Sequence, residues 1–247
     1  MIAMASDFDG TLYFMAKEEK YRPGDPEKIA EFQANGGLFG VCTGRSLRGI
    51  LDTSESGRVD FDFYILASGA LIMDRDFNTL CKVCIPRDLM TEIHEKYRNE
   101  VEIVIHANDT VYNFRDTYSL QECISSMDEI EGDSIYGLSF GTRSHEEASR
   151  IADEINSDYG ETVTARVNVR NVDMVSKDCS KGSAVEFIKS EYGIDLMGGA
   201  GDSYNDLPLL VAADESFTFP YAPREVQDHA DHVVSSIAES LHILSKI

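Results

Sequence analysis

The chain has 247 residues and carries 22 Lys and Arg against 44 Asp and Glu, so its formal net charge at pH 7 is −22. Hydrophobic residues make up 43% and charged residues 27%, which is the composition of a folded globular protein rather than a disordered one. The strong negative charge argues against a nucleic-acid partner, because phosphate backbones select basic surfaces. To bind an anionic substrate, the protein would need local positive charge at the site, from a metal ion or from a few cationic side chains.

The N-terminal residues show no basic start and no apolar stretch of signal-peptide length, and the apolar run 207–213 is far shorter than a bilayer span. The five cysteines are an odd and sparse set, which is typical of reduced thiols in a cytosol. Cys81 and Cys84 form a C-x-x-C pair, but no second pair lies at a zinc-like spacing, so we assign the pair no function. We expect a cytoplasmic protein with no membrane partner.

In the first 82 residues, strand patterns alternate with helix patterns. Apolar runs at 2–6, 38–42 and 63–67 predict buried strands, and helices are predicted after Asp25 and after Ser46. An alternation of this kind is the signature of a parallel, doubly wound sheet. We therefore predict an α/β fold whose core is a mostly parallel, Rossmann-like sheet.

The pattern changes near residue 83 and returns to the first pattern near residue 177. The intervening segment predicts helices and paired strands, which indicates a separate α+β unit. Its predicted helices are 86–100 and 144–159, and its predicted strands are 101–106, 110–114, 134–140, 162–168 and 172–176. We predict that residues 83–173 form an inserted α+β cap domain and that residues 1–82 and 174–247 form the core domain.

An acidic turn, Asp-Phe-Asp-Gly-Thr, follows the first predicted strand and places Asp7 and Asp9 two residues apart. In open α/β sheets, ligands bind at the carboxyl ends of the strands, and Gly10 permits a turn that lets both carboxylates face that crevice. One carboxylate can then attack an electrophile while the other handles a proton. The alternatives are a solvated acidic turn and a calcium loop, although the spacing and terminal Glu of a calcium loop are missing.

A second acidic segment, Gly-Asp-Ser-Tyr-Asn-Asp at 201–206, follows another predicted strand. Asp202 and Asp206 are four residues apart, so they share a face if the segment enters a helix. Together with Asp7 and Asp9 they would place four carboxylates at strand ends, where hard oxygen ligands suit Mg²⁺. Four unneutralised carboxylates in one crevice repel each other, so a cation is implied. The alternative for this segment alone is an acidic helix N-terminus.

Two further segments can hold a phosphate. Thr43 and Gly44 follow the strand predicted at 38–42 and precede a helix, so the hydroxyl and the backbone N–H groups can bind phosphate oxygens. Lys181 precedes the helix predicted at 182–192 and can balance negative charge on a phosphate and on a nucleophile. Taken singly, each segment has an ordinary alternative, a loop for the first and a surface lysine for the second.

In their order and at these strand ends, the four segments resemble the motifs of the haloacid dehalogenase-like superfamily of Mg²⁺-dependent phosphotransferases. The first motif, Asp-x-Asp-Gly-Thr, is similar to 7–11, and the fourth, Gly-Asp-x-x-Asn-Asp, is similar to 201–206. Thr43 matches the second-motif Thr and Lys181 the third-motif Lys. The insertion between the second and third motifs resembles the cap of the Cof-type branch. That branch usually carries Asn-Gly-Ala after the third strand, where this chain has Ser68 in place of Asn.

The resemblance implies a Mg²⁺-dependent phosphatase that acts on a small phosphorylated metabolite, in particular a sugar phosphate, through an aspartyl-phosphate intermediate. Asp7 would be the nucleophile and Asp9 the general acid and base. The implied metal ligands are Asp7, Asp9 through its backbone carbonyl, Asp202 and Asp206, and the implied phosphate-binding residues are Thr43, Gly44, Lys181 and Asn205. Two rival functions use the same residues: a sugar phosphomutase, and a phosphoryl-accepting signalling module, which would be shorter and would need no inserted cap.

Overall fold

The computed structural model describes residues 1–53, 58–115 and 122–247. Its strands, in chain order, are β1 (Ile2–Ser6), β2 (Leu38–Cys42), β3 (Phe63–Leu66), β4 (Leu71–Asp74), β5 (Thr79–Lys82), β6 (Glu102–Ala107), β7 (Thr110–Asn113), β8 (Glu122–Cys123), β9 (Ile135–Gly141), β10 (Val163–Asn168), β11 (Asn171–Ser176), β12 (Leu196–Ala200), β13 (Glu215–Thr218) and β14 (His232–Val233). Its helices are α1 (Asp25–Ala34), α2 (Leu47–Leu51), α3 (Arg87–Tyr97), α4 (His145–Tyr159), α5 (Lys181–Tyr192), α6 (Leu207–Ala212), α7 (Arg224–Asp228) and α8 (Ile237–Leu244). Across these described ranges, no helix combines the length and the apolar character that crossing a membrane requires.

The first sheet has the strand order β14-β13-β12-β1-β2-β3-β4-β5. The strands from β14 to β3 are parallel, whereas β4 and β5 extend the sheet in antiparallel pairs. This arrangement confirms the predicted α/β class with a mostly parallel core sheet. The strand order reverses direction at β1, and ligands in doubly wound folds bind at this kind of switch point.

Helices cover both faces of the core sheet, and the side chains of β1 show how. Met4 faces the hydrophobic cluster that includes Ile29 of α1 and Leu241 of α8, and all three side chains are fully buried or nearly so. The neighbouring Ala3 and Ala5 belong to the cluster on the opposite face, with α5 and α6. Because successive side chains of a strand point to opposite faces, β1 is buried on both sides, as its apolar sequence predicts.

The second sheet has the strand order β10-β11-β9-β6-β7-β8 and is largely antiparallel. One of its faces packs against α3 and α4 in a separate hydrophobic cluster, to which Ile103 and Ile105 of β6 contribute. The alternate residues of β6, which include Val104 and His106, are only partly buried. This partly buried face, which we call the inner face, looks toward the core sheet, because His106 lines a cavity together with Asp7.

A 3-10 turn at Ala67–Gly69 connects β3 to β4 and brings the chain close to the start of α5. Ala67 and Ser68 have φ values of +46° and +56°, and Gly69 has a φ of +102°. A Cβ atom at Gly69 would overlap the carbonyl oxygen of Ser180, the N-cap residue of α5. The absence of a side chain at Gly69 therefore permits the close contact between this turn and α5.

We expect Gly69→Ala to lower the free energy of unfolding by about 2–4 kcal/mol, because the new methyl group adds a backbone clash to an unfavourable φ. The matched control is Gly36→Ala, which also has a positive φ, +89°, but has no atom near the new methyl group. We expect the control to cost about 1 kcal/mol. Urea unfolding of both purified variants measures the difference, and equal losses would contradict the proposed clash.

Candidate active site

The first acidic turn begins where β1 ends and remains paired with β12. The N–H group of Asp7 donates to the carbonyl oxygen of Ala200 at 2.8 Å, so the parallel pairing continues by one residue. The chain then turns at Gly10, whose φ is +88°. A Cβ atom at this position would lie 2.9 Å from a carboxylate oxygen of Asp202. Glycine therefore allows the two acidic segments to lie against each other.

Lys181 joins the two acidic segments. Its Nζ atom lies 2.6 Å from Oδ1 of Asp7 and 2.5 Å from Oδ1 of Asp206, and its side chain is only 2% exposed. Burial by itself would lower the pKa of Lys181, but the carboxylates of Asp206 and Asp7 outweigh it and raise that pKa. An ammonium group has three N–H donors, and two of them are used by these carboxylates. One donor therefore remains for another acceptor.

Three carboxylates converge beside Lys181. Oxygen atoms of Asp7, Asp202 and Asp206 all lie within 4.8 Å of one another, close enough to share one metal ion. The hydroxyl of Thr11 donates to Oδ1 of Asp202 at 2.8 Å, and the backbone N–H of Asp202 donates to Oδ2 of Asp206 at 3.0 Å. These bonds orient the carboxylates without neutralising them.

The electrostatics of this triad favour a bound cation. Burial, with a further contribution from Asp206, raises the pKa of Asp7 well above its usual range, although Lys181 acts in the opposite direction. Burial also raises the pKa of Asp202 to about 6, against the lowering effect of the Thr11 hydrogen bond. A divalent cation with a preference for oxygen ligands would relieve this repulsion, so the donor set fits a metal ion of that kind.

The carboxylate of Asp9 points to a different partner. Arg45 donates from Nε to Oδ2 of Asp9 at 2.7 Å and from Nη2 to Oδ1 at 2.6 Å, a bidentate pair. The Nη1 atom of Arg45 donates to the carbonyl oxygen of Gly49 at 2.9 Å, which fixes the guanidinium further. The side chain of Asp9 is 48% exposed, whereas Asp7 is almost fully buried. The two carboxylates of the turn therefore lie in contrasting environments.

A cavity of about 270 Å³ collects most of the predicted site residues. Those that line it are Asp7, Asp9, Thr43, Gly44 and Asn205. Lys181, Asp202 and Asp206 do not line this cavity. Lys181 contacts Asp7 directly, and carboxylate oxygens of Asp202 and Asp206 lie within 4.8 Å of one of Asp7. Thr43 is buried, and its hydroxyl accepts a hydrogen bond from the backbone N–H of Arg45 at 3.2 Å.

Several cavity residues were not predicted. Arg45 and Ser203 lie inside the quoted motifs, so their positions were available, but the sequence offered no reason to give them a role. His106, Asn168 and Asp173 belong to the second sheet and line the same cavity. Their sequence signal is weak, because a polar residue at an alternate strand position is usually solvent-exposed. Ser68, at the usual Asn position, lies next to this cavity beside Gly44 and His106.

Comparisons with known proteins identify one family. A family model described as haloacid dehalogenase-like hydrolase matches residues 4–240. A protein of Haemophilus influenzae named "Putative phosphatase" is 24% identical over 249 residues, which cover 95% of this chain and 92% of the relative.

Among solved structures, a haloacid dehalogenase-like hydrolase from B. subtilis superposes with a TM-score of 0.86 at 20% identity and covers 100% of both chains. A sugar phosphatase of haloacid dehalogenase subclass IIB superposes with a TM-score of 0.78 at 19% identity, again over 100% of both chains. These two likenesses support the fold, and the family match covers nearly the whole chain. The resemblance drawn from the sequence is thereby confirmed, and the chain belongs to the haloacid dehalogenase-like hydrolases.

Proposed function

We propose that this protein is a Mg²⁺-dependent phosphatase that hydrolyses a small phosphorylated metabolite, a sugar phosphate, through an aspartyl-phosphate intermediate. The observation that carries the proposal is the buried Asp7 carboxylate, which lies between Lys181 and two further carboxylates at one end of a cavity. The family match supports a hydrolase. The Haemophilus influenzae relative, named "Putative phosphatase", supports phosphatase activity. The similar subclass IIB sugar phosphatase supports phosphate esters of sugars as substrates.

Asp7 is the nucleophile in this proposal. One of its carboxylate oxygens attacks phosphorus, and the bond between phosphorus and the leaving-group oxygen breaks. Asp9 protonates that oxygen after it has taken a proton from solvent and one of its oxygens has left the pair with Arg45. Asp9 then takes a proton from a water molecule, whose oxygen attacks the phosphorus of the aspartyl-phosphate. The bond from Asp7 to phosphorus breaks, and inorganic phosphate and the free Asp7 carboxylate result. The contrast between the buried Asp7 and the half-exposed Asp9 supports these separate roles.

The phosphoryl group would be bound by Thr43, Gly44, Lys181 and Asn205. Support comes from the cavity, since Thr43, Gly44 and Asn205 line it together with Asp7. Lys181 donates two of its three N–H groups to Asp7 and Asp206, and the third would bind the phosphoryl group. Donors fixed in advance of the reaction can stabilise the charge that develops on the phosphoryl oxygens.

The metal ion would be held by the carboxylates of Asp7 and Asp202 and by the backbone carbonyl of Asp9, with Asp206 supporting its water ligands. When bound, Mg²⁺ supplies positive charge that screens the Asp7 carboxylate from the approaching phosphate dianion. Oxygen-only ligands and a preference for retained water both suit Mg²⁺. The inserted unit at 83–173 would act as a cap that covers the site and selects the leaving group.

A panel of phosphorylated metabolites, incubated with Mg²⁺, tests the proposed function. We expect inorganic phosphate to be released from one or more sugar phosphates. A sugar 1-phosphate that yields an isomeric sugar phosphate instead would identify a phosphomutase, and stable phosphorylation of the protein without turnover would identify a signalling module. Release of phosphate from no ester in the panel would refute the proposal.

We expect Asp7→Asn to reduce turnover below a few per cent of the wild-type rate, because an amide is a poor nucleophile. The fold should be retained, because asparagine has the shape of aspartate and its side-chain oxygen can still accept a hydrogen bond. The control is Asp76→Asn, which removes the same charge from an exposed turn of the core domain. Phosphate release under saturating substrate measures both variants. The covalent role is wrong if Asp7→Asn keeps substantial activity while circular dichroism shows an unchanged fold.

We expect chelation by EDTA to abolish phosphate release and Mg²⁺ to restore it. Ca²⁺ should restore little activity, because it is larger and takes more ligands in a looser geometry than Mg²⁺ does. Activity assays of the EDTA-treated, dialysed protein with each ion added back measure the effect. Full activity in EDTA would exclude a metal at Asp7, Asp202 and Asp206.

We expect Arg45→Ala to slow the hydrolysis of an alkyl phosphate by about tenfold or more and to slow the hydrolysis of p-nitrophenyl phosphate much less. The reason is that Arg45 orients Asp9, and a nitrophenolate leaving group needs little help from a general acid. Arg48→Ala is a matched control, because Arg48 lies on α2, three residues after Arg45, and pairs with Asp52 and Glu122 rather than with Asp9. Equal losses on both esters would show that Arg45 does not act through proton transfer.

A further inference from the structure

Arg22 and Tyr221 bind two consecutive backbone carbonyl oxygens of the first acidic turn. The hydroxyl of Tyr221 donates to the carbonyl oxygen of Gly10 at 2.7 Å, and Nη1 of Arg22 donates to the carbonyl oxygen of Thr11 at 3.1 Å. Nη2 of Arg22 donates to the hydroxyl oxygen of Tyr221 at 2.8 Å, a contact between residues 199 positions apart in the chain. Arg22 precedes α1 and Tyr221 follows β13, so both lie outside the four motifs.

The chemistry of these groups fixes the direction of their hydrogen bonds. A carbonyl oxygen can only accept and a guanidinium can only donate, so the Tyr221 hydroxyl accepts from Arg22 and gives its single proton to Gly10. Because the hydroxyl accepts from a charged donor, it becomes a stronger donor to Gly10. Arg22 therefore acts on the turn twice, directly at Thr11 and through Tyr221 at Gly10.

Aromatic rings keep the guanidinium of Arg22 in place. Its central carbon lies 4.4, 4.7 and 5.4 Å from the ring centroids of Phe14, Phe219 and Tyr221, respectively. The rings of Phe219 and Tyr221 stack with their centroids 5.3 Å apart, and Phe219 is fully buried. Contacts with ring faces are favourable for a guanidinium and restrict its orientation. Arg22 is therefore a fixed donor rather than a solvated surface cation.

The chain segment that carries Tyr221 also binds the second acidic segment. Thr218, the last residue of β13, donates from its hydroxyl to the carbonyl oxygen of Gly201 at 2.8 Å. The N–H group of Gly201 donates to the carbonyl oxygen of Phe217 at 3.1 Å. Three residues after Thr218, Tyr221 reaches Gly10 of the first acidic turn. One short stretch of chain therefore fixes the two acidic segments relative to each other.

The two residues of the turn that are held in this way contact Asp202. The hydroxyl of Thr11 donates to Oδ1 of Asp202 at 2.8 Å, and a Cβ atom at Gly10 would lie 2.9 Å from a carboxylate oxygen of Asp202. The carbonyl group of Asp9, a proposed metal ligand, immediately precedes Gly10, and no donor in the described part of the chain binds its oxygen. A shift of the Gly10 peptide would therefore change the distance between the Asp9 carbonyl and the Asp202 carboxylate.

We propose that Arg22 and Tyr221 are positioning residues, which hold the first acidic turn so that the ligands of a small cation are in place before the cation binds. The inference rests on the proposed function, in which the Asp9 carbonyl and the Asp202 carboxylate bind Mg²⁺. Mg²⁺ demands near-ideal octahedral geometry, whereas Ca²⁺ accepts a looser one. A turn released from Arg22 and Tyr221 would therefore lose more affinity for Mg²⁺ than for Ca²⁺.

Metal titrations without substrate test the inference. Tyr221→Phe removes the hydroxyl and changes no charge. We expect it to raise the dissociation constant of Mg²⁺ by about tenfold and that of Ca²⁺ by about threefold or less, as measured by isothermal titration calorimetry. The matched control is Tyr204→Phe. Tyr204 lines a cavity together with Tyr221 and Asp202 and has a similar exposure, 46% against 51%, but its hydroxyl makes no hydrogen bond within the described ranges. We expect the control to change neither constant.

Arg22→Lys separates positioning from charge. Lysine keeps the positive charge but lacks the planar fork that donates to Tyr221 and to Thr11 at the same time. We expect this variant also to raise the dissociation constant of Mg²⁺ by about tenfold. If Arg22 acted only through its charge, the substitution would leave the constant unchanged, and that result would overturn its positioning role.

The outcomes separate this inference from the function on which it rests. The inference is wrong if the folded Tyr221→Phe protein binds Mg²⁺ as the wild type does, or if it loses affinity for Mg²⁺ and Ca²⁺ equally, as a merely structural role predicts. In both cases, Mg²⁺-dependent release of phosphate by the wild-type protein leaves the proposed function standing. If the wild-type protein binds no Mg²⁺ and releases phosphate in EDTA, the metal site of the proposed function fails, and this inference fails with it.

Discussion

The buried contact of Lys181 with Asp7 and Asp206 is the interaction on which the rest of the candidate site depends. Three carboxylates lie within 4.8 Å of one another, an arrangement that repulsion would disrupt without nearby positive charge. Lys181 supplies one such charge from the start of α5, although a cation is unfavourable at a helix N-terminus. Removing this charge would leave Asp7 protonated or displaced. The strand order makes this contact possible, because β1 and β12 are parallel neighbours and both acidic segments follow them at the same edge of the sheet.

Asp7 and Asp9 are only two residues apart in the first acidic turn, but their carboxylates lie in different chemical environments. Asp7 is buried beside a lysine and two carboxylates, whereas Asp9 is half-exposed and paired with Arg45. A nucleophile gains from being fixed and desolvated, while a group that gives and takes a proton needs access to the leaving group and to water. The turn at Gly10 produces both environments from one short segment.

The second sheet uses the alternation of β-strands for two purposes. The side chains on the face opposite the inner face pack against α3 and α4 and form a hydrophobic cluster. The side chains of the inner face are only partly buried, so polar residues are tolerated there. Hydrogen bonds connect Asn168, Asp173, Ser139 and His106 because β10, β11, β9 and β6 are neighbours in the sheet, although β6, β9 and the β10–β11 hairpin are far apart along the chain. In the proposed function, the core sheet would hold the phosphoryl group and the second sheet would face the rest of the substrate.

The sequence by itself determined the fold class and the positions of the four motifs, because apolar runs and helical patterns place three motifs after predicted strands and Lys181 at the start of a helix. Residues 7–11 and 201–206 could be predicted to meet since parallel strands end at a common edge. The antiparallel pairing of β4 and β5 at the edge of the core sheet was not predicted, because short apolar runs do not specify a partner or a direction. The pairing of Arg45 with Asp9 and the hydrogen bonds of Ser139 with Asp173 and with His106 were decided only by the tertiary structure. Each of these contacts joins residues more than 30 positions apart in the sequence, which no local pattern encodes.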